Sequence, residues 1–195
     1  MISCRERDQL RRRTLKNLAL TDWGDLPLHI HFDTPADGNF HQRQAQSSYL
    51  ALKKSLDYQA DYILFLEDDL DFNRHLRHNI CHWSPVRRGD VTLASLYNPR
   101  LREKGWDVRS NARIVDPKYA YGSQAFLLSR ETVEYVVQRW NDVTGLQDIR
   151  MFRLAGRLRK PVLYHAPSLV QHIGANSTWG GGFHQAFDFD PAWRA

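Results

Sequence analysis

The stretch Tyr62-Ile63-Leu64-Phe65-Leu66-Glu67-Asp68-Asp69-Leu70-Asp71-Phe72 (YILFLEDDLDF, residues 62–72) sets five consecutive apolar side chains directly ahead of three carboxylates. An unbroken apolar run of this kind suits a strand buried on both faces of a parallel sheet. Carboxylates crowded at the end of such a strand repel one another, and desolvation adds to the cost of ionising each. A divalent cation relieves both costs, and hard oxygen donors suit Mg2+ or Mn2+. In open α/β sheets ligands bind beyond the carboxyl ends of the strands, where Glu67, Asp68 and Asp69 would lie. The competing reading is an acidic surface turn that caps the following helix, with Asp71 as the cap.

Outward from this stretch, strands alternate with helices. Residues 1–4 read as the end of a strand, and Leu10, Leu15 and Leu18 then recur at approximately helical spacing among charges. LPLHIHF (26–32) alternates apolar and polar residues and stops at Asp33 before the turn-rich TPADGN. His29 and His31 point to one face of that strand, but no second histidine-rich strand completes a metal site. A helix over 43–57 carries Ala45, Tyr49, Leu52 and Leu56 on one face. Strands are expected at 91–96, 112–115, 124–128 and 162–164. Helices are expected around Val133, Val136, Val137 and Trp140, and at 147–157. His78, Cys81 and His82 fit a solvated helix better than a metal site that lacks a fourth ligand. This alternation means an α/β fold with a mixed, mostly parallel sheet flanked by helices.

The chain has 195 residues, 42% hydrophobic and 25% charged, which suits one domain with a sizeable core and excludes a disordered chain. Residues 1–16 hold six basic and two acidic side chains and so carry +4 of the net +5; the remainder is close to neutral. That balance argues against a nucleic-acid-binding module, which spreads positive charge over its binding face. No stretch approaches the roughly 18 apolar residues of a transmembrane segment, and the N-terminus turns charged at once, so a cytoplasmic location is expected. The cysteines, Cys4 and Cys81, are too few for a disulfide framework.

Several segments carry a resemblance. YILFLEDDLDF resembles the strand-plus-DXD element of the GT-A nucleotide-sugar glycosyltransferases, in a Glu-Asp-Asp form. YGSQAFLLSRE (121–131) is similar to the Gly-Ser turn, strand and helix beside donor and acceptor in the lipopolysaccharide and procollagen galactosyltransferase group. PSLVQHIGANST (167–178) resembles the end of the catalytic domain in the N-acetylglucosaminyltransferase IV group. CRER (4–7) resembles the loop after the first strand that helps hold the nucleotide. These segments occur in the family's order over nearly the whole chain.

The resemblance implies a single catalytic domain over 1–195 with a flexible C-terminal loop at about 174–195. It implies transfer of a sugar from a nucleoside diphosphate donor, UDP-linked, to a hydroxyl of a glycan, lipid-linked or protein acceptor. By the same resemblance Asp69 and His172 ligate Mn2+ or Mg2+, Glu67 and Asp68 bind ribose or metal waters, and Arg5 and Arg7 face the diphosphate or base. Cys4, Asp33, Gly122, Ser123, Gln124, Ser177 and Trp179 are assigned to the nucleotide sugar, the last two on a glycine-rich tail that closes over it. Asp148 falls where inverting members place their general base. A nucleotidyltransferase would keep the carboxylates but should carry a glycine-rich basic loop after the first strand; CRERDQLRRR contains no glycine.

Overall fold

The computed structural model describes residues 1–33, 40–100, 103–174 and 184–195. Its centre is a six-stranded sheet. In spatial order the strands are β3 (Tyr62–Leu66), β8 (Ala125–Ser129), β5 (Leu93–Ser95), β9 (Val162–His165), β7 (Ala112–Val115) and β6 (Glu103–Asp107). A parallel pair, β1 (Ile2–Ser3) and β2 (His31–Phe32), and an antiparallel pair, β4 (Leu70–Phe72) and β10 (Val170–His172), complete the strands among the described residues.

The alternation of β8 builds both cores. Ala125 and Leu127 face a cluster with Leu18, Leu66, Leu70, Leu76, Leu96 and Tyr97. This side is covered by α1 (Asp8–Ala19), α3 (Leu76–His82) and α4 (Ser84–Arg87). Phe126 and Leu128 face the other cluster, with Leu52, Val133, Val136, Phe152 and Tyr164. There α2 (Phe40–Ser55), α5 (Arg130–Gln138) and α6 (Gln147–Arg157) pack. Ser129 starts α5 by accepting the Thr132 N–H on its hydroxyl. Phe126 meets the edge of Phe152 at 5.0 Å between ring centroids, an arrangement favoured by the ring quadrupoles.

The expected α/β architecture with flanking helices is present, but the sheet is mostly antiparallel. Within it only β5 and β9 run parallel, and the remaining pairings, β3 with β8 included, are antiparallel. The apolar run of β3 reports burial, and a central antiparallel sheet covered by helices buries both faces just as a parallel one does. Burial along β3 is graded, with Tyr62 to Leu64 half-buried and Phe65 and Leu66 buried, so the run becomes fully enclosed only where it nears the carboxylates. Asp71 does not cap α3. It lies in β4 opposite Gln171, and Asp22 accepts the Arg77 and His78 N–H groups of that helix at 2.7 and 2.9 Å. Among the described residues no helix is long and apolar enough to cross a membrane.

Candidate functional site

The turn from β3 to β4 presents Glu67, Asp68 and Asp69, all buried, to three different neighbours. Glu67 points toward the α6 side, where Ser123 Oγ donates to Oε1 at 2.5 Å and Gln147 Nε2 at 2.7 Å. Asp68 faces β1: Ser3 Oγ donates to Oδ2 at 2.6 Å, and Arg7 Nη1 pairs with Oδ1 at 2.9 Å. Asp69 reaches β10, with Oδ2 paired to Arg7 Nη2 and 2.9 Å from His172 Nε2. Thr14 of α1 fixes the turn itself, donating to Asp68 O and accepting the Leu70 N–H, both at 2.8 Å.

Packing three carboxylates out of water has the electrostatic result expected of it. Burial, then the charge of Asp69, pushes Glu67 up to about 7, against a smaller opposing pull from Ser123. Burial also raises Asp68, although Arg7 and Ser3 oppose the shift. Asp69 goes the other way. Burial would raise it, but the hydrogen bond from His172 and the charge of Arg7 hold it below the ordinary range. Against the effect of burial, Asp69 in turn holds His172 up. The cluster therefore brings the titration of Glu67 close to neutral pH and holds Asp69 ionised against Arg7 and His172.

Beside these acids lies a small pocket, open to solvent, whose walls include Cys4, Arg7, Asp33, Glu67 and Asp68. Gln44 and Ser47 of α2 also line it, and nothing local in the sequence marked them. Asp33 is tied to Arg43 by an ion pair, yet Asp33 Oδ1 and Gln44 Oε1 are buried acceptors without a hydrogen-bond partner among the described residues. Burial, with Asp33 and Asp68 nearby, pushes the Cys4 thiol up to about 12, so it is no thiolate. Cys4, Glu6 and Asp33 bring donor atoms within 4.8 Å of one another, but the protonated thiol and exposed Glu6 make this a poor metal site. Arg5 is exposed, and its side chain makes no ion pair or hydrogen bond among the described residues, whereas Arg7 lies inside the site. Both cysteines are free thiols.

No protein-family model matches the chain, and no curated protein matches it. The site must therefore be read from its own chemistry. Asp148 sits in the first turn of α6, where Oδ2 accepts the Gly122 N–H at 2.9 Å and Oδ1 its neighbour Ile149 N–H at 2.8 Å. Gly122 has φ +86°, a conformation that favours glycine, and a Cβ there would also stand 2.7 Å from the end of the Gln124 side chain. Gln124 Oε1 is buried and without a hydrogen-bond partner among the described residues. Ser177 and Trp179 lie outside the described residues.

Two further groups join the site without any local sequence signal. Gln147 bridges it: its amide nitrogen serves Glu67 and Ser123, and its oxygen accepts from Ser48 of α2. His184 stacks on His172 at 4.8 Å and 18°, and its Nδ1 is 2.6 Å from Tyr97 Oη. Burial, with Tyr121, Asp69 and Glu67 nearby, raises Tyr97, so the phenol keeps its proton.

Asp69 and His172 are the two donors that a divalent cation here would share, with Arg7 already paired to Asp69 Oδ2. Asp69 Oδ1 is buried and has no hydrogen-bond partner among the described residues, and a Cβ on Gly174 would come within 2.6 Å of Asp69 Oδ2 and 3.1 Å of His172 Nε2. Glycine thus lets the backbone pass close beside one carboxylate, a donor that suits Mn2+ or Mg2+, and one imidazole, a donor typical of transition-metal ions.

Proposed function

We propose that this chain is a metal-dependent glycosyltransferase of the GT-A type, moving a sugar from a nucleoside diphosphate donor, UDP-linked, to an acceptor hydroxyl with inversion. The observation that carries the reading is the convergence on Asp69 of Arg7 from the β1 side and His172 from β10, beside the pocket under β1 and α2. Asp69 and His172 would hold the ion, which supplies a Lewis-acidic countercharge to the departing diphosphate.

The chain's own groups do the rest. Arg7 binds diphosphate oxygens with the guanidinium fork it otherwise spends on Asp68 and Asp69. Asp33 Oδ1 and Gln44 Oε1, acceptors unpaired among the described residues and beside Cys4 in the pocket wall, take N–H or O–H donors of the base and ribose. Glu67 and Asp68 line the ribose side, and Ser123 with Gln124 faces the sugar. Asp148, oriented by two backbone N–H groups, takes the acceptor's proton as its oxygen attacks the anomeric carbon and the bond to the diphosphate breaks.

Calorimetry of the full chain with UDP, with and without MnCl2, tests the reading. Binding that needs Mn2+ and is lost in Asp69→Ala is expected; equal binding in wild type and variant refutes the metal assignment. No nucleoside diphosphate binding under any condition refutes the function.

A further inference from the structure

At the far edge of the sheet, β6 and β7 form a hairpin in which Trp106 directly opposes Arg113, so the two side chains share a face. The Arg113 guanidinium, 7% exposed as a residue, lies 4.6 Å from the Trp106 ring centroid and 5.1 Å from that of Phe187. Its charge is already answered by Glu103 at 2.6 Å and Asp188 at 3.5 Å. The rings remain open, Trp106 at 53% and Phe187 at 45%. A covered cation behind two exposed aromatic faces is a platform whose outer side meets solvent.

A chain of contacts leads from the platform toward the candidate base. Arg100 places its guanidinium 5.7 Å from the Phe187 centroid, next in the chain to Pro99, whose carbonyl accepts from Tyr121 Oη at 3.1 Å. Tyr121 is itself exposed and adjoins Gly122, whose N–H binds Asp148.

We infer that Trp106 and Phe187 form a binding platform for a neutral saccharide, which lies along the strip through Tyr121 and presents its hydroxyl to Asp148. A sugar ring has an apolar C–H face that packs on an aromatic ring, and a rim of hydroxyls suited to hydrogen bonds with charged groups. Glu103 and Arg100, both exposed, supply such groups at the rim. The pairing of Arg113 with two acids, and of Lys104 with Asp116 at 3.4 Å, leaves the hairpin little net charge to attract an ionic ligand, which favours an uncharged polyol. Naming the saccharide as the acceptor rests on the glycosyltransferase reading; the platform itself does not.

The test uses saturation-transfer NMR on the full chain. The probes are the methyl glycosides of galactose, glucose, N-acetylglucosamine and mannose, with lactose, cellobiose, N-acetyllactosamine and chitobiose. UDP with MnCl2 is titrated in parallel. The expected result is saturation of at least one saccharide, with its affinity reduced about tenfold or more in Trp106→Ala and in Phe187→Ala while UDP binding stays within about twofold. Saccharide binding indifferent to both variants overturns the proposal, as does UDP binding with no saccharide binding, or a wild-type dimer that buries Trp106. Saccharide binding that depends on Trp106, with no nucleotide binding at all, upholds the platform and refutes the glycosyltransferase reading.

Discussion

Replacing Glu67 with Gln separates the electrostatic cost of the carboxylate cluster from its packing. Glu67 titrates at about 7 in the folded chain, where an ordinary glutamate titrates near 4.5. A folded state that holds the proton more tightly is stabilised at low pH, and that stability drains away as pH rises from about 4.5 through 7. Between pH 5 and pH 8 the loss comes to about 2 kcal/mol, since each pH unit inside that window weighs about 1.4 kcal/mol. Glutamine keeps an oxygen for Ser123 and Gln147 but has nothing to ionise. Urea unfolding followed by tryptophan fluorescence at pH 5, 6, 7 and 8 should therefore show the variant gaining about 2 kcal/mol on wild type across the series, whatever constant offset the amide introduces. Parallel profiles would refute the account of Glu67 as an acid held protonated by burial and by Asp69. Addition of Mn2+ should flatten the wild-type profile, because a cation in the cluster favours the ionised acid.

Gly174→Ala drives a Cβ toward Asp69 Oδ2, so Mn2+-dependent UDP affinity should fall at least about tenfold by calorimetry, with circular dichroism unchanged. Arg7→Ala strips the partner from two buried carboxylates and should cost about 3–5 kcal/mol in urea unfolding, whereas Arg13→Gln, at an exposed position, should stay within about 0.5 kcal/mol. Asp148→Asn should preserve UDP binding while transfer to acceptor drops by a factor on the order of 10², read by product formation; an unchanged rate, or a product with retained configuration, removes Asp148 as base.

The helices and the buried strands were legible because their signal is periodic burial. The 3.6-residue spacing of Val133 and Val136, and the apolar run of 62–66, are read correctly by local pattern alone. Strand direction is not local, which is why the sheet was expected mostly parallel. LPLHIHF reads as seven strand residues, but only His31 and Phe32 pair, since β1 offers them only Ile2 and Ser3. β4 and β10 are three residues each and find one another across nearly a hundred positions, and β6, Glu-Lys-Gly-Trp-Asp, is exposed throughout and has no apolar face to betray it. In the site, the carboxylates were conspicuous because three acids after an apolar strand demand an explanation. Gln147, Ser48 and His184 were not, because an uncharged or isolated polar residue acquires meaning only from what the fold sets against it.

The single hydroxyl of Thr14 grips both sides of the acidic turn, giving its proton to Asp68 O and taking that of the Leu70 amide. It is the only described side chain on α1 that is bonded to both ends of this turn. Asn17 of α1 adds a bond to Leu70 O at 3.3 Å, so the helix and the turn cannot part without breaking these contacts. Exchange of the Leu70 amide with solvent deuterium thus becomes a gauge of helix docking: its rate reports how often α1 lifts from the sheet. A ligand that tightens the turn should slow that one proton even when it touches nothing on the helix.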